Sequence, residues 1–345
     1  MEINSLHIEN FRSFQKSEFN FSPFYNIITG KNSTGKTTIL ESIYLASSGK
    51  SFITSHLLNC VSFHKQYFFI SLIFQDSLRK KNIDILIGNG KKEIQLNHKK
   101  VKGFFEIIGM LPVVFLNYKV VDIIKGGPEK RRNFLNHWLI FMDPAYYSEL
   151  SNYYTLLYRR NALLKNMVIS KELLSILSNK IIPVGRVIQR KRKEVVSLLN
   201  NIVQKNLDKI SDKNVKIEFI YNPSPTEKLL KNGMENTEIQ RKRTLFGPHL
   251  DELEILMDGI QVREFSSLGE AYSIAFAMRF AEKESIMEKR GEEPILLMDD
   301  FFSDLDETRR KNVLRMTEDG QIFLTTLNLN IIPKDILDKA KIISL

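Results

Sequence analysis

Short apolar runs separated by turn residues dominate the first third of the chain. Tyr25–Thr29 is apolar enough to predict a buried strand, and the run at 68–74 predicts another. Residues 82–87 and 92–96 carry strand patterns on either side of Gly88-Asn89-Gly90. An Asn-Gly pair between two strand patterns is typical of a tight hairpin turn. Residues 1 to about 120 are therefore predicted to be rich in β-structure.

Helix-forming residues predominate in the middle of the chain. Gly126-Gly127-Pro128 predicts a helix start, because proline suits the first helical turn and Glu129 suits its positive end. From there to about Asn206 turn signals are few. Pro183 and Gly185 are the exception, and they predict one break in the helical segment.

Strand patterns return after a polar, turn-rich stretch at residues 207–240, in which Asn222–Pro225 predicts a loop. Residues 295–298, 321–325 and 341–345 each predict a strand. The chain shows no internal repeat and no heptad run of the length that a long coiled coil needs. The pattern predicts an α/β fold in which a sheet lobe is interrupted by a helical insertion.

The composition is that of an ordinary globular protein, with 345 residues, 43% hydrophobic and 26% charged. No apolar run reaches the roughly 18 residues of a membrane helix, and the N-terminus lacks the pattern of a signal peptide. Cys60 is the only cysteine, which excludes an intrachain disulfide and a cysteine zinc cluster. We therefore expect a reduced, cytoplasmic setting.

The net charge of +10 favours a polyanionic partner, with nucleic acid ahead of an anionic membrane surface. One cluster of lysines and arginines is typical of a solvated helix face, but several around one helical segment favour contacts to DNA phosphates. No recognition-helix or zinc-finger motif is present, so we expect binding without sequence specificity and with a steep salt dependence. The clusters are Lys125, Lys130, Arg131 and Arg132; Arg159, Arg160 and Lys165; Arg186, Arg190, Lys191, Arg192 and Lys193; and Arg241, Lys242 and Arg243.

The most specific chemical pattern is a complete G-x-x-x-x-G-K-[ST] phosphate-binding loop. It lies between the predicted strand at 25–29 and a segment, Thr38–Ala46, with apolar residues at helical spacing. Backbone amides of such a loop cradle phosphate oxygens, Lys36 reaches the β- and γ-phosphates, and the Thr37 hydroxyl is a Mg²⁺ ligand. The predicted nucleotide-binding residues here are Gly30, Lys31, Asn32, Ser33, Thr34, Gly35, Lys36, Thr37 and Thr38.

A second acidic element is predicted to complete this site. Pro294–Asp306 consists of an apolar run followed by acids, which places carboxylates at the exposed C-terminal end of a strand. Asp299 is predicted to hold Mg²⁺ together with Thr37. Asp300 is predicted to orient or deprotonate the attacking water, so Asp300 and Lys36 are the catalytic candidates.

Two further segments resemble ABC-type ATPase heads of DNA-repair proteins. Ser303-Asp304-Leu305-Asp306 is similar to their D-loop, which meets the nucleotide of a partner subunit, and Phe11-Arg12-Ser13-Phe14 is similar to their N-terminal element. The resemblance implies that Arg12 and Asp306 contact nucleotide.

The resemblance is closest to the RecF family of bacterial recombinational repair. It implies an ABC-ATPase head with a helical second lobe and no coiled-coil arms: residues 1–125 and 236–345 would form lobe I, and residues 126–235 lobe II. It also implies ATP and Mg²⁺ as ligands, an ATP-dependent homodimer on double-stranded and gapped DNA, and assistance to RecA loading with RecR and RecO in the response to DNA damage. The segments that carry it are Asn10–Arg12, the phosphate loop, Leu40–Ile43, Gly49–Phe52, Lys125–Leu135, Tyr158–Lys165 and Phe246–His249 with Asp251.

The signature segment departs from this family. Family members resemble Ser-x-Gly-Gln at the start of a helix, where Ser and Gly touch the γ-phosphate held by the other subunit. Ser267 and Gly269 keep these groups, but Glu270 replaces the neutral amide. A carboxylate there is expected to repel a γ-phosphate, so we expect slow hydrolysis or weak dimerisation. Residues 115–119 and Leu250 depart as well, and the nucleotide-sensing residue is not identified.

Other function classes fit the pattern less well or stay open. A transporter ATPase subunit would carry a histidine where the strand at 321–325 is followed by Thr326. A nuclease with such a head would need a further acidic domain. An ATP-locked DNA-binding switch with little hydrolysis, or another SMC- or Rad50-like head, stays open. His249 is the one histidine for which we expect a role near the site.

Overall fold

The computed structural model describes residues 1–211, 215–225, 234–300, 306–317 and 319–345. The chain divides into two compact units. Unit 1 contains Met1–Val120, Asn206–Asp212 and Tyr272–Leu345, and unit 2 contains Val121–Lys205 and Lys213–Ala271. Residues 236–271, which sequence analysis assigned to the first lobe, therefore belong to unit 2.

Strands occur in both units. In chain order they are β1 (Glu2–Phe11), β2 (Phe14–Asn20), β3 (Tyr25–Thr29), β4 (Tyr67–Gln75), β5 (Lys80–Gly88), β6 (Lys91–Leu96), β7 (Lys99–Val101), β8 (Val113–Asn117), β9 (Ile217–Asn222), β10 (Glu252–Met257), β11 (Ile260–Gln261), β12 (Ile295–Asp299), β13 (Ile322–Thr326) and β14 (Lys341–Ser344).

The α-helices that the described residues form range from one turn to eleven. They are α1 (Lys36–Ser48), α2 (Asp122–Lys125), α3 (Pro128–Met142), α4 (Ala145–Leu164), α5 (Lys171–Ile210), α6 (Met234–Arg241), α7 (Val262–Phe265), α8 (Leu268–Arg290), α9 (Glu307–Arg315) and α10 (Lys334–Leu337). None of the described helices combines the length and apolar character needed to cross a membrane.

Unit 1 is built on two sheets. One is antiparallel with the strand order β2-β1-β4-β5-β6-β7, and the other is parallel with the order β14-β3-β13-β12-β8. Helix α1 contacts strands of both sheets, and its buried Ile39, Leu40 and Ile43 contribute to the core there. The buried Gln321 side chain joins the sheets by hydrogen bonds to the backbone N–H and C=O of Ile3, at 2.6 and 2.8 Å. The parallel sheet thus brings the carboxyl ends of β3, β12, β13 and β8 to one edge.

Unit 2 combines helices with a three-stranded antiparallel sheet of order β11-β10-β9. Its longest element, α5, runs through Pro183 without interruption, so the predicted break at Pro183 and Gly185 is wrong. The reason is the spacing of buried positions, which repeats every three or four residues along the whole helix and favours one continuous face. These positions include Leu174, Ser178, Ile181, Ile188, Arg192, Val195, Leu199 and Val203.

Local patterns located several strands well. The hairpin predicted around Asn89-Gly90 is present between β5 and β6, and both turn residues have positive φ, at 53° and 69°. Strands β3, β12, β13 and β14 lie within one or two residues of their predicted bounds. Strands β1, β8 and β9 were not predicted. Strands β1 and β9 mix polar with apolar positions, which hides the strand period, whereas β8 is a short apolar run that pattern alone does not distinguish from a buried helix segment.

Candidate nucleotide site

The phosphate loop lies between the end of β3 and the start of α1. Gly35 precedes the helix with φ of 108°, and a Cβ there would lie 2.7 Å from the ring of Phe14, so only glycine fits. The Lys36 ammonium donates to the carbonyls of Gly30 and Lys31, both at 2.8 Å. The loop therefore presents an ammonium and the N-terminus of α1, two groups that attract phosphate.

Thr37 and Asp299 meet directly beside this loop. The Thr37 hydroxyl donates to Oδ1 of Asp299 at 3.0 Å, and the Thr325 hydroxyl donates to the same oxygen at 2.9 Å. Burial raises the pKa of Asp299 above its ordinary value, against the opposing effect of these two hydrogen bonds. A buried carboxylate beside a hydroxyl is a hard oxygen pair that suits Mg²⁺. No group of three His, Cys, Asp or Glu in the described part of the chain could hold a metal ion alone, so phosphate and water oxygens would complete the shell.

Asp300 follows at the mouth of the same pocket. Its backbone adopts φ of 43°, in the left-handed region, and its N–H donates to the Thr325 hydroxyl at 2.8 Å. The pocket has a volume of about 310 Å³ and is lined by the phosphate loop together with Arg12, Asp300 and Thr325. The structure thus brings together Lys36, Thr37, Asp299 and Asp300, the four central residues of the sequence prediction.

Asn117 is a neighbour of Asp299 in the parallel sheet that the sequence pattern did not single out. It is the register partner of Asp299 where β8 and β12 pair in parallel, so the Cα atoms of the two residues are neighbours. Its side chain accepts a hydrogen bond from the N–H of Lys119 at 3.1 Å, and the next carbonyl, of Tyr118, accepts one from the Tyr272 hydroxyl at 3.0 Å. In the sequence, Phe115–Lys119 stands out only as a departure from the family. Its position next to Asp299 becomes evident only once β8 is known to pair with β12.

Arg12 lines the pocket, but its guanidinium is already engaged. It forms a bidentate pair with the buried Glu41 of α1, at 2.8 and 2.6 Å, and a third bond to the carbonyl of Asn59 at 2.9 Å. The hydrogen bonds to Glu41 raise the pKa of Arg12. Ser51 donates to the same carboxylate. Three segments that carry the family resemblance therefore meet at Glu41 and hold the N-terminal element against α1.

The signature segment lies in unit 2, and two of its residues, Ser267 and Glu270, hydrogen-bond to each other. The backbone N–H and the hydroxyl of Ser267 both donate to Oε2 of Glu270 at 2.8 Å. The N–H of Glu270 is 3.3 Å from the Ser267 oxygen, which makes the pair a reciprocal capping box at the start of α8. The Glu270 carboxylate thus binds the Ser267 donors that a γ-phosphate would use. Gly269 lies between them in the first turn of α8.

The predicted D-loop is described only at its last residue, because Ser303, Asp304 and Leu305 lie outside the described residues. Asp306 is the N-cap of α9: it accepts the N–H of Arg309 at 2.9 Å and pairs with its guanidinium at 2.6 Å. That N–H, helped by the guanidinium, lowers the pKa of Asp306. Both carboxylate oxygens are therefore used in capping the helix.

The Gly-Pro-His segment and Asp251 belong to a buried network in unit 2. His249 lies between the Tyr153 hydroxyl, at 2.7 Å, and the carbonyl of Thr244, at 3.3 Å. Burial lowers the pKa of His249, which favours the neutral ring. Asp251 is fully buried and pairs with Arg192 at 2.8 Å. These contacts give His249 and Asp251 a structural part within unit 2.

Many of the predicted DNA-binding cations face inward. Arg160 and Arg192 are buried in pairs with Glu238 and Asp251, and Lys191 bridges Asp143 and Glu149. Lys125, Arg131 and Arg132 donate to backbone carbonyls of unit 2, and Arg131 also pairs with Glu252. The cluster members that remain exposed are Lys130, Arg159, Lys165, Arg186, Arg190, Lys193, Arg241, Lys242 and Arg243.

Comparisons with known proteins decide the family. The family model described as RecF/RecN/SMC N terminal domain matches residues 2–339. A protein of Caldanaerobacter subterraneus called DNA replication and repair protein RecF is 32% identical over 343 residues, covering 94% of each chain. The chain belongs to the RecF family. The resemblance drawn from the sequence is thereby confirmed.

Solved structures agree with this membership. A structure of the recombination mediator protein RecF with ATP, from the RecFOR pathway, superimposes with a TM-score of 0.89 at 31% identity and covers 95% of this chain and 92% of that chain. An SMC head bound to the C-terminal winged-helix domain of ScpA aligns with a TM-score of 0.60 at 17% identity, which shows the fold alone. The predicted fold class, an ABC-ATPase head with a helical insertion, is confirmed, and the part of the chain that the structure describes contains no long coiled coil.

Proposed function

We propose that this RecF-family protein is an ATP-dependent, non-sequence-specific DNA-binding protein of recombinational repair and replication restart. It dimerises on ATP, acts at double-stranded and gapped DNA in the cytoplasm, and assists RecA loading with RecR and RecO. The observation that carries the proposal is the contact of Thr37 with Asp299 beside the phosphate loop. The 31% identical relative whose solved structure holds ATP supports it.

The chain's own residues divide the work in this proposal. The loop amides and Lys36 bind and orient the β- and γ-phosphates, and Thr37 and Asp299 would hold Mg²⁺. That ion would neutralise charge on the phosphates when bound. Asp300, at the mouth of the pocket, orients the attacking water or takes its proton. Ser267 and Gly269 of a second copy, with Arg12 and Asp306 as further contacts, would complete the site.

A second candidate function is an ATP-locked DNA-binding switch with little hydrolysis. The capping box of Ser267 and Glu270 favours it, because these donors must exchange an internal carboxylate for a phosphate before a dimer can close. Both candidates predict ATP binding through Lys36. The two candidates differ in the rate of ATP hydrolysis, which we propose to be slow.

The experiment that tests the proposal is ATP hydrolysis with and without gapped duplex DNA, in the parent protein and in Lys36→Ala. We expect slow hydrolysis that DNA stimulates and that Lys36→Ala abolishes, because the ammonium is the loop's contact to the reacting phosphates. Thermal unfolding of the variant checks that it is folded. ATP binding without turnover would favour the locked switch, and failure of the parent protein to bind ATP would refute both candidates.

A further inference from the structure

Lys125 makes a contact that its sequence context did not predict. It is the last residue of α2 and is half-buried. Its ammonium donates to the carbonyl of Ser266 at 2.6 Å, of Arg263 at 3.1 Å and of Val262 at 3.4 Å. These carbonyls belong to α7 and to the residue that precedes Ser267. One side chain therefore binds the end of α7 at the point where the signature segment begins.

The chemistry of this contact suits a structural cation. Carbonyls at the end of a helix carry partial negative charge, and an ammonium offers three donors for them. The same turn is fixed from within, since the Ser266 hydroxyl and N–H both donate to the Val262 carbonyl, at 2.7 and 3.1 Å. The peptide that joins Ser266 to Ser267 is thus held on its carbonyl side by Lys125.

Lys125 is itself held in place. Gly126 follows it, and a Cβ on Gly126 would lie 2.4 Å from the carbonyl oxygen of Asp122, so the chain turns here too closely for a side chain. The carbonyl of Gly126 accepts a bond from Arg131 at 2.9 Å, and Arg131 pairs with Glu252 of β10 at 2.8 Å. A series of hydrogen bonds therefore connects β10 and α3 to the signature segment through Lys125.

We infer that Lys125 is a positioning residue for the signature segment. By holding the carbonyls of Val262, Arg263 and Ser266 it fixes the direction of the Ser267 N–H and hydroxyl, which a phosphate bound to a second copy would use. The inference rests on the proposed ATP-dependent dimer. It replaces the DNA contact predicted from sequence, because an ammonium shared by three carbonyls would have to leave them to reach a DNA phosphate.

The first test is amide hydrogen exchange of residues 263–270 in nucleotide-free protein, which requires no dimer. Lys125→Met removes the ammonium and keeps most of the stem. Lys130→Met is the matched control, since it removes the same charge from an exposed neighbour, whose ammonium lies 3.5 Å from the Asp122 carboxylate. We expect faster exchange at residues 263–270 in Lys125→Met, parent-like exchange in Lys130→Met, and partial restoration in Lys125→Arg.

The second test separates nucleotide binding from dimerisation. We expect Lys125→Met to bind a fluorescent ATP analogue as the parent does, because Lys36 and its loop are intact, while ATP-dependent dimerisation in sedimentation velocity weakens about tenfold or more. Unchanged exchange at residues 263–270 would overturn the inference whatever the dimer does. If Lys125→Met instead loses DNA affinity while its hydrogen exchange and dimerisation match the parent, the result would support the DNA contact predicted from the sequence. A parent protein that never dimerises on ATP would instead count against the proposed function.

Discussion

The Thr325 hydroxyl serves two consecutive acids at once. It donates to Asp299 and accepts the N–H of Asp300, so it fixes the carboxylate of one and the backbone of the other. Asp300 adopts a left-handed backbone conformation. This conformation is strained for a residue with a side chain, and it persists only where neighbouring contacts hold it. One buried hydroxyl therefore sets the relative position of Asp299, the proposed Mg²⁺ ligand, and Asp300, the proposed base.

We predict that Thr325→Val lowers ATP hydrolysis and raises the Mg²⁺ concentration needed for half-maximal activity by about tenfold or more, because it removes a hydrogen bond that orients a ligand. Thr325→Ser keeps the hydroxyl and should stay close to the parent. Thr326→Val is the matched control, since among the described residues the Thr326 hydroxyl bonds within its own turn, to the carbonyl and N–H of Asn328. Equal loss in Thr325→Ser and Thr325→Val would refute the role of the hydroxyl.

Glu270 carries a second prediction at this scale. Glutamine can still accept from Ser267 as part of a capping box, but it brings no negative charge toward a phosphate and competes less strongly for the Ser267 donors. We expect Glu270→Gln to increase ATP hydrolysis, ATP-dependent dimer affinity, or both. Steady-state hydrolysis and sedimentation velocity measure the two effects. If neither increases, the carboxylate does not limit dimer closure.

Site residues differ in how far sequence could predict them. Lys36, Thr37 and Asp299 belong to local patterns whose chemistry is fixed by spacing along the chain. Thr325 and Asn117 gain their positions from the pairing of parallel strands, which joins residues far apart in sequence. Arg12 likewise pairs with a residue distant in sequence, Glu41, so its own segment could not predict this partner.

At the scale of elements, α5 shows why a local rule failed. Proline removes one helical hydrogen bond, and here the carbonyl that loses its partner belongs to Asn179, an exposed residue that water can reach. The buried face of α5 continues on both sides of Pro183, and burial of that face outweighs the local cost. Gly185 is also part of this helix. Because it has no side chain, Pro248 can pack closely against α5 at this position.

We predict opposite effects for two alanine substitutions in this helix. Pro183→Ala restores a hydrogen bond at an exposed position and should stabilise the protein by about 1–3 kcal/mol. Gly185→Ala gains about 1 kcal/mol of helix propensity, but its Cβ would lie 3.1 Å from Pro248, and overpacking costs about 1–3 kcal/mol. Thermal unfolding followed by circular dichroism should therefore show a higher Tm for the first variant and an unchanged or lower Tm for the second.

The opposite ranking of these two variants would mean that Pro183 is held by contacts that alanine cannot replace and that the Pro248 segment moves aside easily. The two substitutions introduce the same side chain within one turn of the same helix. A difference between them therefore reports the local environment rather than a general effect of alanine.

At the scale of the whole molecule, the net charge overstates the number of cations that are exposed for contact with DNA. Sequence alone could identify the basic clusters but not which members turn inward, because burial of Arg160 and Arg192 depends on acids 78 and 59 positions away in sequence. Arg241-Lys242-Arg243 is a cluster whose members are all exposed, and it begins at the last residue of α6. These three cations are available to contact phosphates, whereas Arg192 would first have to leave Asp251.

We predict that replacing Arg241, Lys242 and Arg243 with alanine weakens binding to duplex DNA regardless of its sequence. Each lost phosphate contact releases one counterion fewer, so the slope of log affinity against log salt should fall by about 0.9 per contact, and by about 3 if all three bind. Replacing the exposed lysines Lys334, Lys339 and Lys341 removes the same net charge from another region. If this control reduces the slope equally, overall charge and not the exposed cluster determines DNA affinity.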